Sequence, residues 1–252
     1  KKNGVNPLIL DTRKEPSSDI ITEAKNLGIE IKYSYVVVAA KGYKKVKSAD
    51  IAKISDNKKD LSNIENIECD CICVSGFWTP SIHLASQSGN KSEFNEKIDA
   101  FIPKKSKQKE NTIGSANGKF TLEETINEAF DKGYEVSNKI TENNNKVSIP
   151  TVVEKKSTEH DKFWCVPLPK GKSYKRFLDF QNDVAVTDIE LALREGFRSI
   201  EHVKRYTTLG MATDQGKTSN LNGLQLVSDI ENKVVPQVGH TTFRPPYTPV
   251  SI

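Results

Sequence analysis

Residues 207–220 crowd glycines, hydroxyls, two amides, one carboxylate and one ammonium into fourteen consecutive positions. Such a run cannot supply much core. It can line a polar site on the rim of something larger. Two short helical patterns lead into it, and an apolar, proline-rich tail leaves it. The rest of the fold must therefore be built around this stretch.

Composition narrows the choices. At 252 residues the chain has room for one large domain or two small ones. Apolar residues make up 36%, enough for a core under a wet surface. Basic residues outnumber acidic ones by 37 to 33, an excess too mild to imply nucleic acid. The basic clusters at 41–59 and 104–109 have no interleaved aromatics and read as solvated faces. No secretory signal or membrane span is visible, and a cytoplasmic location fits. Cys69, Cys71 and Cys73 alternate, so an extended chain points all three to one side. They read as a thiol stripe in a buried strand, because a metal cluster needs a turn to make ligands converge.

The opening residues have a β-α-β rhythm of a mostly parallel sheet. Pro7-Leu8-Ile9-Leu10-Asp11 forms a strand ending in a carboxylate, a helix follows over 18–27, Gly28 stops it, and 29–33 is the next strand. Asp11 is a candidate to grip a ribose hydroxyl, with the matching glycine fingerprint expected upstream of this chain. Residues 35–40 and 45–54 suggest neighbouring strands around Gly42, and 69–75 a further strand. Gly76 and Trp78 lie in the turn that interrupts it. Gly76 permits close backbone approach, and Trp78 either stacks on a ring or plugs the core.

Ser115, Ala116, Asn117 and Gly118 form a small-residue loop before a helix over 121–133. Thr121 and Glu124 have capping-box spacing. The helix mouth either holds a pyrophosphate on its amides or is an ordinary capped end. Residues 141–165 read as a linker or surface excursion. A second helix is expected over 187–196, with Thr187 and Glu190 as its box, and a third begins after Ser199. His83 and His202 suit half-exposed packing roles, and His160 and His240 share no spacing pattern. In the polar run, Thr213, Gln215, Lys217 and Thr218 are candidate cofactor contacts. Lys217 either faces a cofactor or pairs with Asp214.

Several stretches carry a resemblance. Phe180-Gln181-Asn182-Asp183-Val184, Arg194-Glu195-Gly196-Phe197-Arg198-Ser199, Glu201-His202-Val203-Lys204-Arg205-Tyr206-Thr207-Thr208 and Gly210-Met211-Ala212-Thr213-Asp214-Gln215-Gly216-Lys217 resemble the alpha-subunit family of heterotetrameric sarcosine oxidases. So do His83-Leu84-Ala85-Ser86-Gln87-Ser88-Gly89 and Phe243-Arg244-Pro245-Pro246-Tyr247-Thr248-Pro249. The resemblance implies oxidation of sarcosine to glycine, giving hydrogen peroxide and either formaldehyde or methylene-folate. It implies beta, gamma and delta partner subunits, with sarcosine handled by an FAD on beta. It places an FMN at the interface with beta, an NAD on alpha that binds weakly or not at all to this shortened chain, and folate elsewhere in the complex. No catalytic residue is expected here.

The implied fold is α/β: part of a dinucleotide-binding domain of the two-dinucleotide-fold flavoprotein kind over 1–140, a linker over 141–165, and a small helical module over 166–235. A truncated aminomethyltransferase-like domain would begin at 236–252. The module also resembles the [2Fe–2S] domains of related amine dehydrogenases. Here Asp179, Gln181, Asp214 and Lys217 stand near the cysteine positions, and no cysteine follows Cys165. No cluster is therefore expected, since ligation needs thiolates. The alternatives are a subunit of a related amine, proline or opine dehydrogenase, or a non-catalytic interaction module.

Overall fold

The computed structural model describes residues 3–16, 18–76, 78–104, 106–141, 148–152, 162–245 and 247–248. Most of the expected linker at 141–165, including His160, lies outside the described residues, as do Phe77, Lys105 and the last four positions. The chain divides into two compact units, Lys1–Phe77 with Lys155–Arg176, and Trp78–Glu154 with Phe177–Ile252.

In the first unit, β1 (Leu8–Asp11) pairs in parallel with β2 (Glu30–Tyr33), and α1 (Asp19–Asn26) connects them. Ser18 caps α1 by accepting the Ile21 N–H at 3.3 Å. Gly28 follows at φ 65°, a left-handed conformation that glycine adopts without steric cost. The expected β-α-β rhythm stops there. β3 (Tyr35–Gly42), β4 (Val46–Lys53) and β5 (Glu65–Glu68) form an antiparallel meander, so the mostly parallel sheet is corrected. Hairpin connections as short as 43–45 cannot return a strand in parallel. β4 forms this unit's core, with Ala49, Ile51 and Ala52 fully buried.

The strand expected at 69–75 is also absent. Cys69 N–H donates to the Lys47 carbonyl at 3.1 Å, and the following described residues belong to no strand. Cys71 and Cys73 are exposed rather than buried.

The second unit opens with α2 (His83–Gln87) and the hairpin β6 (Ser92–Asn95) and β7 (Ala100–Pro103). A 3-10 turn at Gly114–Asn117 leads into α3 (Leu122–Thr141). Thr121 accepts the Glu124 N–H at 3.2 Å and donates its hydroxyl to the Glu124 carboxylate at 2.9 Å. The helix runs eight residues past Gly133, its expected stop. Glu135 sustains it by pairing with Lys132 at 2.8 Å and Lys139 at 2.7 Å, one turn either way. Hydrogen bonds from these two lysines hold the Glu135 carboxyl at about 2.

The helical module follows the short hairpin β8 (Phe177–Asp179) and β9 (Val184–Ala185). It contains α4 (Val186–Arg194), α5 (Ile200–Thr207), α6 (Asn220–Glu231) and α7 (Val235–Val238). At the start of α4, the Asp188 carboxylate accepts the Ala185 N–H at 2.8 Å, in place of the expected Thr187–Glu190 pair. Ile189, Ala192, Val203, Leu209 and Val227 are buried to the last few per cent and form the module's core. Burying an aliphatic side chain of this size contributes about 1.5–3 kcal/mol.

Candidate functional site

The polar run crosses the second unit between α5 and α6, where a buried carboxylate organises it. Asp179, at the end of β8, accepts the N–H of Gln181 and of Gly210, both at 2.9 Å. The Ser219 hydroxyl lies 3.5 Å from the same carboxylate. A short strand and a distant loop are thus tied through one side chain. Charge-assisted bonds to backbone N–H groups are among the stronger ones available to a fold.

Asn220 fills the space inside the loop. A Cβ at Gly210 would come within 2.1 Å of Asn220 Oδ1, and one at Gly216 within 2.2 Å of Nδ2. Both glycines also have φ near +70°. Nothing larger fits, so these two positions are set by close approach as well as by backbone conformation.

Beside this loop lies a pocket of about 100 Å3. His83, Phe101, Lys217, Asn220, Thr241 and Phe243 are among its walls. His83 is buried, and its ring stacks on Phe243 with centroids 3.9 Å apart. Its Nε2 lies 3.0 Å from the Gln215 carbonyl. A carbonyl only accepts, so the proton is on Nε2 and Nδ1 is left as the acceptor. Burial lowers the His83 pKa, the bond to Gln215 opposes this, and the charge of Lys217 adds to the lowering. His83 is neutral at neutral pH.

Two side chains of α5 hold the segment that carries Phe243. Glu201 accepts the Thr242 N–H at 2.5 Å, and Lys204 donates to the Thr242 carbonyl at 3.0 Å. Burial pushes the Lys204 pKa down. Further on, Lys217 donates to the Tyr247 carbonyl at 2.8 Å, and its ammonium lies 4.3 Å from the centre of the Tyr247 ring. The Asp214 carboxylate, one of the two partners considered for Lys217, is bonded elsewhere. It accepts from the Gly216 N–H at 3.0 Å and the Thr218 hydroxyl at 2.9 Å.

The candidate residues separate into groups. Lys217 lines the pocket, and Gln215 reaches it through its carbonyl on His83. Thr213 and Thr218 are exposed on the same loop, and Thr213 donates to Gln181 at 2.6 Å. Gly76 and Trp78 are exposed, and Trp78 plugs no core. Ser115, Ala116, Asn117 and Gly118 belong to the 3-10 turn and its cap. There Glu128 of α3 accepts the Gly114 N–H and the Asn117 amide, each at 2.7 Å. Asp11 is likewise engaged, at 2.7 Å, by Arg13, which holds its carboxyl below the usual range against the opposing effect of burial.

The buried roles of His83, Asp179, Asn220 and Thr241 are not visible in local spacing. A histidine opening a five-residue helix and an aspartate ending a three-residue strand give no periodic signal. No group of three or more metal-ligating side chains occurs among the described residues.

The profile of the sarcosine oxidase A3 domain matches residues 173–252, which contain the whole polar run. The sarcosine oxidase alpha subunit of Rhizobium meliloti (strain 1021) is 36% identical over 188 residues, covering 74% of this chain and 19% of the relative. That of Corynebacterium sp. (strain U-96) is 33% identical over 219 residues, covering 81% and 22%. The chain belongs to the sarcosine oxidase alpha-subunit family. It spans about a fifth of the length of these two relatives. Among solved structures, L-proline dehydrogenase from P. horikoshii shares the fold at a TM-score of 0.54 and 18% identity, over 97% of this chain and 48% of that one. For this part of a sarcosine oxidase alpha subunit, the likeness supports a mixed α/β fold.

Proposed function

We propose that this chain works within a sarcosine oxidase complex, in which sarcosine is oxidised to glycine while oxygen is reduced to hydrogen peroxide and the methyl carbon leaves as formaldehyde or methylene-folate. The observation that carries this reading is the A3-domain match over the polar run and its supporting helices. Substrate oxidation belongs to a flavin on a beta subunit, and gamma and delta subunits complete the assembly. FMN at the interface with beta, FAD and folate elsewhere, and a weakly bound NAD on alpha are parts of the same proposal. A cytoplasmic location is proposed too; among the described residues no helix is long and apolar enough to cross a membrane.

The pocket itself does not fit a flavin or a dinucleotide. At about 100 Å3 it falls well below the several hundred Å3 of a typical small-molecule site. No flavin step is therefore assigned to its walls. The proposal gives the chain a narrower task. Thr213, Gln215, Lys217 and Thr218 present one polar wall, and the partner subunit supplies the rest. The Asp179 and Asn220 contacts keep that wall rigid, as a contact surface requires. The dinucleotide role of Gly76, Trp78 and 115–118 draws support from the family alone. A small helical module over 166–235, after a nucleotide-binding part over 1–140 and a linker over 141–165, and an aminomethyltransferase-like domain from 236 belong to the same proposal and draw support from the family alone.

The test is to assemble the chain with beta, gamma and delta subunits and follow sarcosine-dependent peroxide and glycine formation. Turnover is expected, with Lys217→Met slower at unchanged co-purification. No sarcosine-dependent turnover by the wild-type assembly would refute the functional reading. Unchanged rates in Lys217→Met would remove the wall role and leave the rest standing.

A further inference from the structure

Cys71 Sγ and Cys73 Sγ lie 3.8 Å apart, and both thiols are exposed. The spacing explains the approach: residues two apart in an extended chain put their side chains on one side. The backbone there is not locked into a ladder. Pairing with β4 extends as far as the Cys69 N–H on the Lys47 carbonyl, and residues 70–76 belong to no strand. A disulfide needs the sulfurs at about 2.05 Å, with backbone freedom to accommodate the bridge. From 3.8 Å the sulfurs must still close on each other, and a segment outside regular structure is free to let them.

We propose that Cys71 and Cys73 form a peroxide-responsive dithiol, closing to an intrachain disulfide. One thiolate of the pair attacks a peroxide oxygen and becomes a sulfenic acid, releasing hydroxide. The other thiol then attacks that sulfur, the S–S bond forms, and the sulfenic oxygen leaves as water once it has taken up the proton. Two thiols give up two electrons in total, and one hydrogen peroxide becomes two waters.

The two sulfurs are within hydrogen-bonding reach and either thiol can be the donor. Each can therefore resolve a sulfenic acid formed on the other, and thiol reactivity follows thiolate character and access. The chemistry requires a hydroperoxide from any source and goes beyond the proposed sarcosine reaction. The test supplies peroxide directly, so the two can fail separately.

The purified chain is reduced, freed of reductant without air and given one equivalent of hydrogen peroxide. Loss of two of its four thiols is expected, with a peptide map joining Cys71 to Cys73 and full recovery with dithiothreitol. Cys71→Ser should give a Cys73 sulfenic acid trapped by dimedone, without loss of a thiol pair. Cys69→Ser and Cys165→Ser should behave as wild type. Four surviving thiols, a bridge to Cys69 or Cys165, or a disulfide-linked dimer would overturn the proposal. The map on the wild-type chain decides this even if a variant folds poorly.

Discussion

The His83 imidazole donates to the Gln215 carbonyl at 3.0 Å, across 132 positions of sequence. The bond ties α2 to the polar loop and depends on a neutral ring already stacked on Phe243. Burial is the main reason its pKa is lowered. Above about pH 6.5 the ring is neutral in both folded and unfolded chains, and the bond contributes fully. Below that the unfolded chain takes up a proton that the folded one resists, so stability is lost as pH falls. Thermal unfolding followed from about pH 7.5 to about pH 5.5 should show a falling midpoint, with a flatter profile for His83→Gln. Equal slopes would mean the ring does not carry the effect.

Asp179 gives a second expectation. Asp179→Ala should leave the Gly210 N–H buried without its acceptor, at a cost of about 1–3 kcal/mol for that group alone. Asp179→Asn keeps the shape and one acceptor oxygen, so it should cost less. Urea unfolding monitored in the second unit orders the two variants; the reverse order would show that the carboxylate is not the organiser.

The two glycines packed on Asn220 differ in a measurable way from glycines with open space around them. Gly216→Ala should destabilise by more than about 1 kcal/mol, because strain at positive φ adds to the clash with Asn220. Gly196→Ala, also at positive φ but with open space around it, should cost less. Comparable losses at both sites would mean that Asn220 moves aside.

Glu128 links α3 to the turn before it. Glu128→Ala should loosen the turn at Gly114–Asn117 and speed hydrogen exchange at the Gly114 amide by tenfold or so, equivalent to about 1.4 kcal/mol. Exchange unchanged by the substitution would show that the turn is held by other contacts.

What the sequence revealed follows contact range. The helix between Ser18 and Gly28, the hairpin of β3 and β4, and the start of α5 after Ser199 were legible because neighbours within a few residues define them. α3 overran Gly133 because one interior glycine costs only about 1 kcal/mol, part of which the ion pairs around Glu135 offset. The cysteine stripe had the right alternation but the wrong burial, since alternation fixes which side a residue takes and not what covers it. The pocket was least visible. Its walls come from residues 79–83, β7, the start of α6 and the segment at 240–243, which meet through tertiary packing alone.

Asp179, Gln181, Asp214 and Lys217 already have other work. The Asp179 carboxylate anchors residue 210, and Asp214 holds residues 216 and 218. Anyone grafting thiolates here to seat an inorganic cofactor would first have to find the loop a new mooring.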